Sequence, residues 1–213
     1  MSEAVPETLH LTLLRHGRSR ADDEGVHEGR YDSPLTEIGQ QQAHALAAYW
    51  VTQGKRFDNV ISSSLCRASE TAAVICQALE LSYKTSDVWQ EFDNGPLAGL
   101  ARDVALEQYP PPTFRSRYAP FTNTGGETQL AFRQRAQVGL SRLWQSPHTR
   151  VLVVAHGGIL NEALKELLGV SRGSFAFGDT AFAEVRVYKD QDHARLLGVN
   201  LQPHLTDKPH LML

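Results

Sequence analysis

The sequence predicts an α/β protein, a three-layer α/β/α sandwich around a mostly parallel central sheet with a small cap insertion. Three observations carry that expectation. Short apolar runs at residues 9–14, 58–62 and 151–154 read as strands. Segments with apolar residues at helical spacing lie between them, so each crossover is a helix and the strands it joins run parallel. The strand runs also end in polar, glycine-bearing loops, where ligands bind in open α/β sheets.

Residues 9–14 alternate as a strand and stop at Arg15-His16-Gly17. After a polar loop, Thr36 caps a helix whose Ala43, Leu46, Ala47 and Trp50 share one face. Residues 58–62 read as a short buried strand, and Leu65, Ala68, Ala72, Ile75, Cys76 and Leu79 then recur at helical spacing. Another strand is expected near residues 83–88. From Glu91 to about Gly126 the character changes. Gly95, Pro96, Gly99, the Pro110-Pro111-Pro112 run and the aromatic Tyr109, Phe114, Tyr118 and Phe121 mark a loop-rich insertion or cap, approximately residues 92–126. Phe132, Ala136, Leu140 and Leu143 define a helix and residues 151–154 an apolar strand. Leu160, Leu164, Leu167 and Leu168 give the next helical face, and residues 183–187 alternate as a later strand. No internal repeat or low-complexity tract is present, and residues 1–213 are expected to form one domain.

Composition limits the partners. With 213 residues, 41% of them hydrophobic, the chain can bury a sizeable core. Its formal charge of −3 offers no global basic field to nucleic acid or an anionic membrane, so any anion site is local. No run reaches the roughly 18 apolar residues of a membrane span, and residues 1–7 lack a basic stretch followed by an apolar one. A cytoplasmic protein is expected, with no membrane or nucleic-acid partner and with a homodimer left open. Cys66 and Cys76 share one helical segment, poorly spaced for a disulfide and too few for a zinc quartet, and read as core thiols of a reducing compartment. The chain has no Gly-x-x-x-x-Gly-Lys loop, Cys-x5-Arg loop, His-Glu-x-x-His pair or Gly-x-Ser-x-Gly elbow. No metal and no cofactor is expected.

Two strand ends carry histidine followed by glycine, at Arg15-His16-Gly17 and Ala155-His156-Gly157-Gly158. A neutral imidazole is a good nucleophile toward phosphorus, and adjacent positive charge keeps His16 neutral. Arg15 and Arg67 present forked donors that match the oxygens of one phosphate dianion. His156 can donate to the transferring group, and Gly157 lets backbone approach it. A leaving alkoxide needs a proton, and Glu91, after Val88-Trp89 and at the start of the insertion, is the carboxylate best placed to supply it.

Together these loops resemble the histidine phosphatase superfamily, also called phosphoglycerate mutase-like, from about Leu9 to Leu205. Arg15, His16 and Gly17 match its signature, and the segment Asp32-Ser33-Pro34-Leu35-Thr36-Glu37-Ile38-Gly39 resembles the stretch before its first helix. Its second arginine falls on Arg67, its acidic residue and following glycines on Glu91, Gly95 and Gly99, and its second histidine on His156. The family's Gly-Glu-Ser element resembles Gly126-Glu127-Thr128. The resemblance implies that His16 is phosphorylated, that Arg15, Arg67 and His156 form the phosphate pocket, and that Glu91 donates the proton.

Just downstream the chain departs from the pattern. Ser19 and Asp22 stand where the family usually has threonine and asparagine, and Glu28, before Gly29, where it often has glutamine. A carboxylate at a phosphate-contacting position would repel a dianion by roughly a kilocalorie or more unless protonated or paired. Three readings stay open here. The two acids lie outside the pocket or pair with Arg18, Arg20 or Arg30; they recognise hydroxyls or an amine of the leaving group; or catalysis is impaired. Arg15, Gly17, Ser19, Asp22, Glu28, Gly29, Arg67 and Gly157 are the expected substrate-binding set. The expected activity is hydrolysis of a small phosphomonoester through a phosphohistidine, against a cofactor-dependent phosphoglycerate mutase and a weakly catalytic phosphate-ester or phosphoprotein binding module.

Overall fold

Strand β1 (Thr8–Arg15) lies at the centre of the molecule because its leucines serve both faces. Leu9, Leu11 and Leu13 enter one hydrophobic core and Leu14 the other. The computed structural model describes residues 6–110, 116–122 and 125–205, apart from the Leu106 side chain. Pro111, Pro112 and Phe114 of the expected insertion lie outside these.

The other main-sheet strands are β2 (Asn59–Ser62), β3 (Lys84–Thr85), β6 (Arg150–Ala155), β7 (Phe182–Tyr188) and β8 (His193–Leu201). Their order is β3-β2-β6-β1-β7-β8, with β3, β2, β6 and β1 parallel and β7 and β8 added antiparallel. Helices α2 (Glu37–Thr52) and α3 (Cys66–Ala78) cover one face through Leu46, Trp50, Ala68, Ala72 and Ile75. Helices α5 (Gln129–Trp144) and α6 (Gly157–Leu167) cover the other through Phe132, Leu143, Ile159, Leu160 and Leu164. The result is the expected three-layer sandwich. Thr36 caps α2 by accepting the Gly39 N–H.

Four details differ from the expectation. The strand near residues 83–88 is only Lys84–Thr85, after which a 3₁₀ turn (Asp87–Trp89) drives Trp89 into the core. The segment 92–126 holds a 3₁₀ turn (Gly95–Leu97), helix α4 (Arg102–Gln108) and a hairpin of β4 (Pro120–Thr122) with β5 (Gly125–Thr128). A short helix α1 (Arg20–Glu24) forms where a loop was expected, because Ser19 and Asp22 make a reciprocal capping box. Of the two cysteines only Cys76 is a core thiol; Cys66 is half-buried in the first turn of α3, beside Glu70. Among the described residues no helix is long and apolar enough to cross a membrane.

Candidate active site

The parallel strands end together. Arg15 pairs with Ala155 in the β1/β6 register and the His16 N–H donates to the Ala155 carbonyl, so His16 and His156 leave the sheet at one level. Their ring centroids are 5.0 Å apart. From neighbouring β2, Ser63 donates its N–H to the Val154 carbonyl, which places its hydroxyl 2.8 Å from His156 Nε2.

The tautomer of His16 follows from its partner. His16 Nδ1 lies 2.7 Å from the Gly17 carbonyl, which only accepts, so Nδ1 carries the proton and Nε2 holds a free lone pair. Arg67 Nε donates to that Nε2 at 3.3 Å. The Ser63 hydroxyl accepts from Leu65 N–H and lies 2.8 Å from His156 Nε2; with its proton directed at that nitrogen, His156 Nδ1 is the protonated one. That Nδ1 is buried and has no partner among the described residues. Burial, then the guanidinium of Arg67, holds both imidazoles well below the usual histidine range, with Arg15 adding to the effect.

Arg67 is fully buried in the first turn of α3. Nη1 and Nη2 donate to the carbonyls of Tyr31 and Gly29, both at 2.8 Å. Its Nε faces His16 and Glu28 Oε1, the latter at 3.1 Å. Arg15 donates to the Phe177 carbonyl at 2.9 Å and faces Asp179 at 3.4 Å and Asp22 at 3.8 Å. Glu91 sits at the start of α6, accepting the Gly158 N–H at 2.8 Å and the Phe92 N–H at 2.7 Å. Arg135 holds that loop in place by donating to the carbonyls of Val88, Gln90 and Glu91 and forking onto Glu127.

Two glycines are fixed by close approach. A Cβ on Gly17 would lie 2.6 Å from the Gly39 carbonyl oxygen, so the loop can rest on α2 only without one. Gly29 has φ +45° and a Cβ there would strike Asn94 Oδ1 at 2.2 Å. Around Gly157, by contrast, a Cβ would meet only Arg15 Cδ, at 3.9 Å.

Asp22 and Glu28 lie beside Arg15, His16 and Arg67, and neither forms the ion pair with Arg18, Arg20 or Arg30 that one of the three open readings gave them. Arg18 pairs with Asp23, Arg20 with Glu24, and Arg30 with Asp93 and Glu127. Glu28 instead accepts from the Ser19 hydroxyl, pairs with Arg67, and places Oε2 4.0 Å from His16 Nε2. Burial pushes its carboxyl upward against the pull of Arg67 and Ser19. Sequence reasoning missed Asp179, Ser63, Thr71 and Arg135. Thr71 accepts the Gly17 N–H at 3.1 Å. Asp179 precedes Thr180, a residue with φ +51° whose N–H holds the His16 carbonyl. Among the described residues no group of three or more His, Cys, Asp or Glu side chains is arranged to hold a metal ion.

This site, at the carboxyl ends of a mostly parallel sheet, belongs to a known class: residues 11–200 match the histidine phosphatase superfamily (branch 1), and the chain is a member of that family. It is 30% identical over 171 residues to the adenosylcobalamin/alpha-ribazole phosphatase of Escherichia coli (strain K12), covering 76% of this chain and 80% of the relative. It is also 30% identical over 189 residues to the 2,3-bisphosphoglycerate-dependent phosphoglycerate mutase of Methylorubrum populi, covering 84% and 88%. The crystal structure of the alpha-ribazole phosphatase from Shigella flexneri shares the fold, with a TM-score of 0.77 at 23% identity, covering 91% of this chain and 97% of that one.

Proposed function

We propose that the protein is a phosphomonoester hydrolase that acts on a small phosphorylated metabolite through a phosphohistidine at His16. The observation that carries this reading is the unprotonated His16 Nε2, its other nitrogen tied to the Gly17 carbonyl and its lone pair held toward Arg67. His16 Nε2 attacks phosphorus in line as the ester P–O bond breaks, and Glu91 protonates the departing oxygen. Water then attacks the phosphohistidine, its proton passes to Glu91, and His16 is restored. Arg15 and the buried Nδ1–H of His156 stabilise the transferring group, since a buried donor without a partner is satisfied by an arriving oxygen. Residues 92–126 act as the cap that selects the leaving group. Every step is assigned to a side chain, none to a metal or cofactor, and the two free cysteines suit a reducing cytoplasm.

Relatives bearing phosphatase names support the hydrolase reading, and the several named phosphoglycerate mutases keep the second reading in view. A panel of phosphomonoesters tests both, with His16→Ala as control. Phosphate release by the wild type alone supports the hydrolase. Turnover that requires 2,3-bisphosphoglycerate supports the mutase. Tight ester binding without turnover supports a binding module.

A further inference from the structure

Glu28 occupies ground that a phosphate needs. Two of the three nitrogens of Arg67 are engaged by the Tyr31 and Gly29 carbonyls, so Nε is the nitrogen that faces His16, and Glu28 Oε1 stands 3.1 Å from it. The other carboxylate oxygen lies 4.0 Å from His16 Nε2, the atom that a phosphorus must reach. We propose that Glu28 is a carboxylate plug of this pocket, and that a binding phosphate displaces it from Arg67 while one proton from water is taken up on Glu28. Protonated, it accepts no cation and donates its O–H to the anion. This inference rests on the anion-pocket reading above.

Charge balance points the same way. Glu28 is faced by Arg67 from α3, by Arg15 and His16 at the end of β1, and by Ser19 and Asp22 at the start of α1. Asp179 stands beside Arg15 on its other side. With Glu91, which also acts on Arg67, and Arg18, which acts on Asp22 and Asp179, four carboxylates meet three guanidiniums while both histidines are neutral, leaving no net positive charge for a dianion. Burial raises the carboxyls of both Glu28 and Asp179, which makes proton uptake on the pocket's acids easier. Glu28 is the one in contact with Arg67 and nearest the nucleophile.

The probe is sulfate, a dianion throughout the range, so any linked proton belongs to the protein. Its affinity is measured by isothermal titration between about pH 5.5 and 8 for the wild type, Glu28→Gln, Asp179→Asn and Arg15→Ala. Above the carboxyl's titration, the wild type should lose about tenfold in affinity per pH unit, the signature of one linked proton. Glu28→Gln, which keeps the acceptor for Ser19, should bind about tenfold more tightly near pH 7.5 with little pH dependence. Glu28→Thr, which withdraws the carboxyl, should behave alike. A steep slope retained in both variants, or abolished in Asp179→Asn instead, overturns the plug and leaves the pocket. Sulfate affinity unchanged by Arg15→Ala overturns the pocket reading as well.

Discussion

Replacing Gly158 by alanine isolates the position of Glu91 from its chemistry. A Cβ built on Gly158 lies 2.4 Å from Glu91 Oε1 and 3.0 Å from Cδ and Oε2. Ordinary contact begins at 3.4 Å, so the carboxyl must withdraw by about 1 Å, giving up the Gly158 N–H it accepts at 2.8 Å. The fold should tolerate the change, because the yielding atoms end a flexible side chain and alanine is the better helix former by about 1 kcal/mol, near the worth of the lost hydrogen bond. Catalysis should not, since a misplacement of about 1 Å costs on the order of 100-fold, or roughly 2.7 kcal/mol of barrier. The assay compares kcat/KM for an alkyl and a nitrophenyl phosphate, alongside Tm. A proton donor matters most for the poor leaving group, so the alkyl ester should bear the full loss and the nitrophenyl ester a small one. Equal losses on the two esters, or none on the alkyl ester, would refute the role of Glu91.

Arg67→Met strands the Tyr31 and Gly29 carbonyls and leaves Glu28 unpaired; urea denaturation should show a loss of about 3–5 kcal/mol, and Arg67→Lys should recover part of the stability without the activity. Gly17→Ala forces backbone against the Gly39 carbonyl and should cost about 1–3 kcal/mol by the same measurement, whereas the open site at Gly157 should accept alanine with little loss of stability. Stability should also depend on pH through His16 and His156. Their folded-state values lie well below the unfolded one, so their contribution is full above about pH 6.5 and is lost as the pH falls, by up to about 1.4 kcal/mol per pH unit for each. Urea midpoints that stay flat between about pH 7.5 and 5.5 would contradict this.

Much of the fold was legible because core-facing residues repeat at fixed periods. Leu9, Leu11 and Leu13 on β1, and Leu46 and Trp50 on α2, announce both their element and their buried side. What escaped lacks such a period. Helix α1 depends on a local exchange between Ser19 and Asp22, and α4 is a seven-residue helix without a side-chain N-cap. Strand β8 is half-exposed along most of its length, so little of it must be apolar. At the candidate site, His16, Arg15, Arg67, Glu91 and His156 drew notice because each follows or closes an apolar run. Asp179 and Arg135 lie more than 100 residues from His16 in the chain, and their places depend on how β7 and α5 dock. The pairing of Asp22 with Arg15 and of Glu28 with Arg67 was likewise hidden, since nearer arginines in the sequence find other acids.

The most direct test of the account is to trap the covalent intermediate. The protein is mixed with a phosphomonoester carrying radioactive phosphorus, quenched in alkali within one turnover, and digested for mass spectrometry. A phosphoryl group on the peptide bearing His16, absent in His16→Ala, is the predicted result. Steady release of phosphate with no label on that peptide, or with label on another residue, would contradict it.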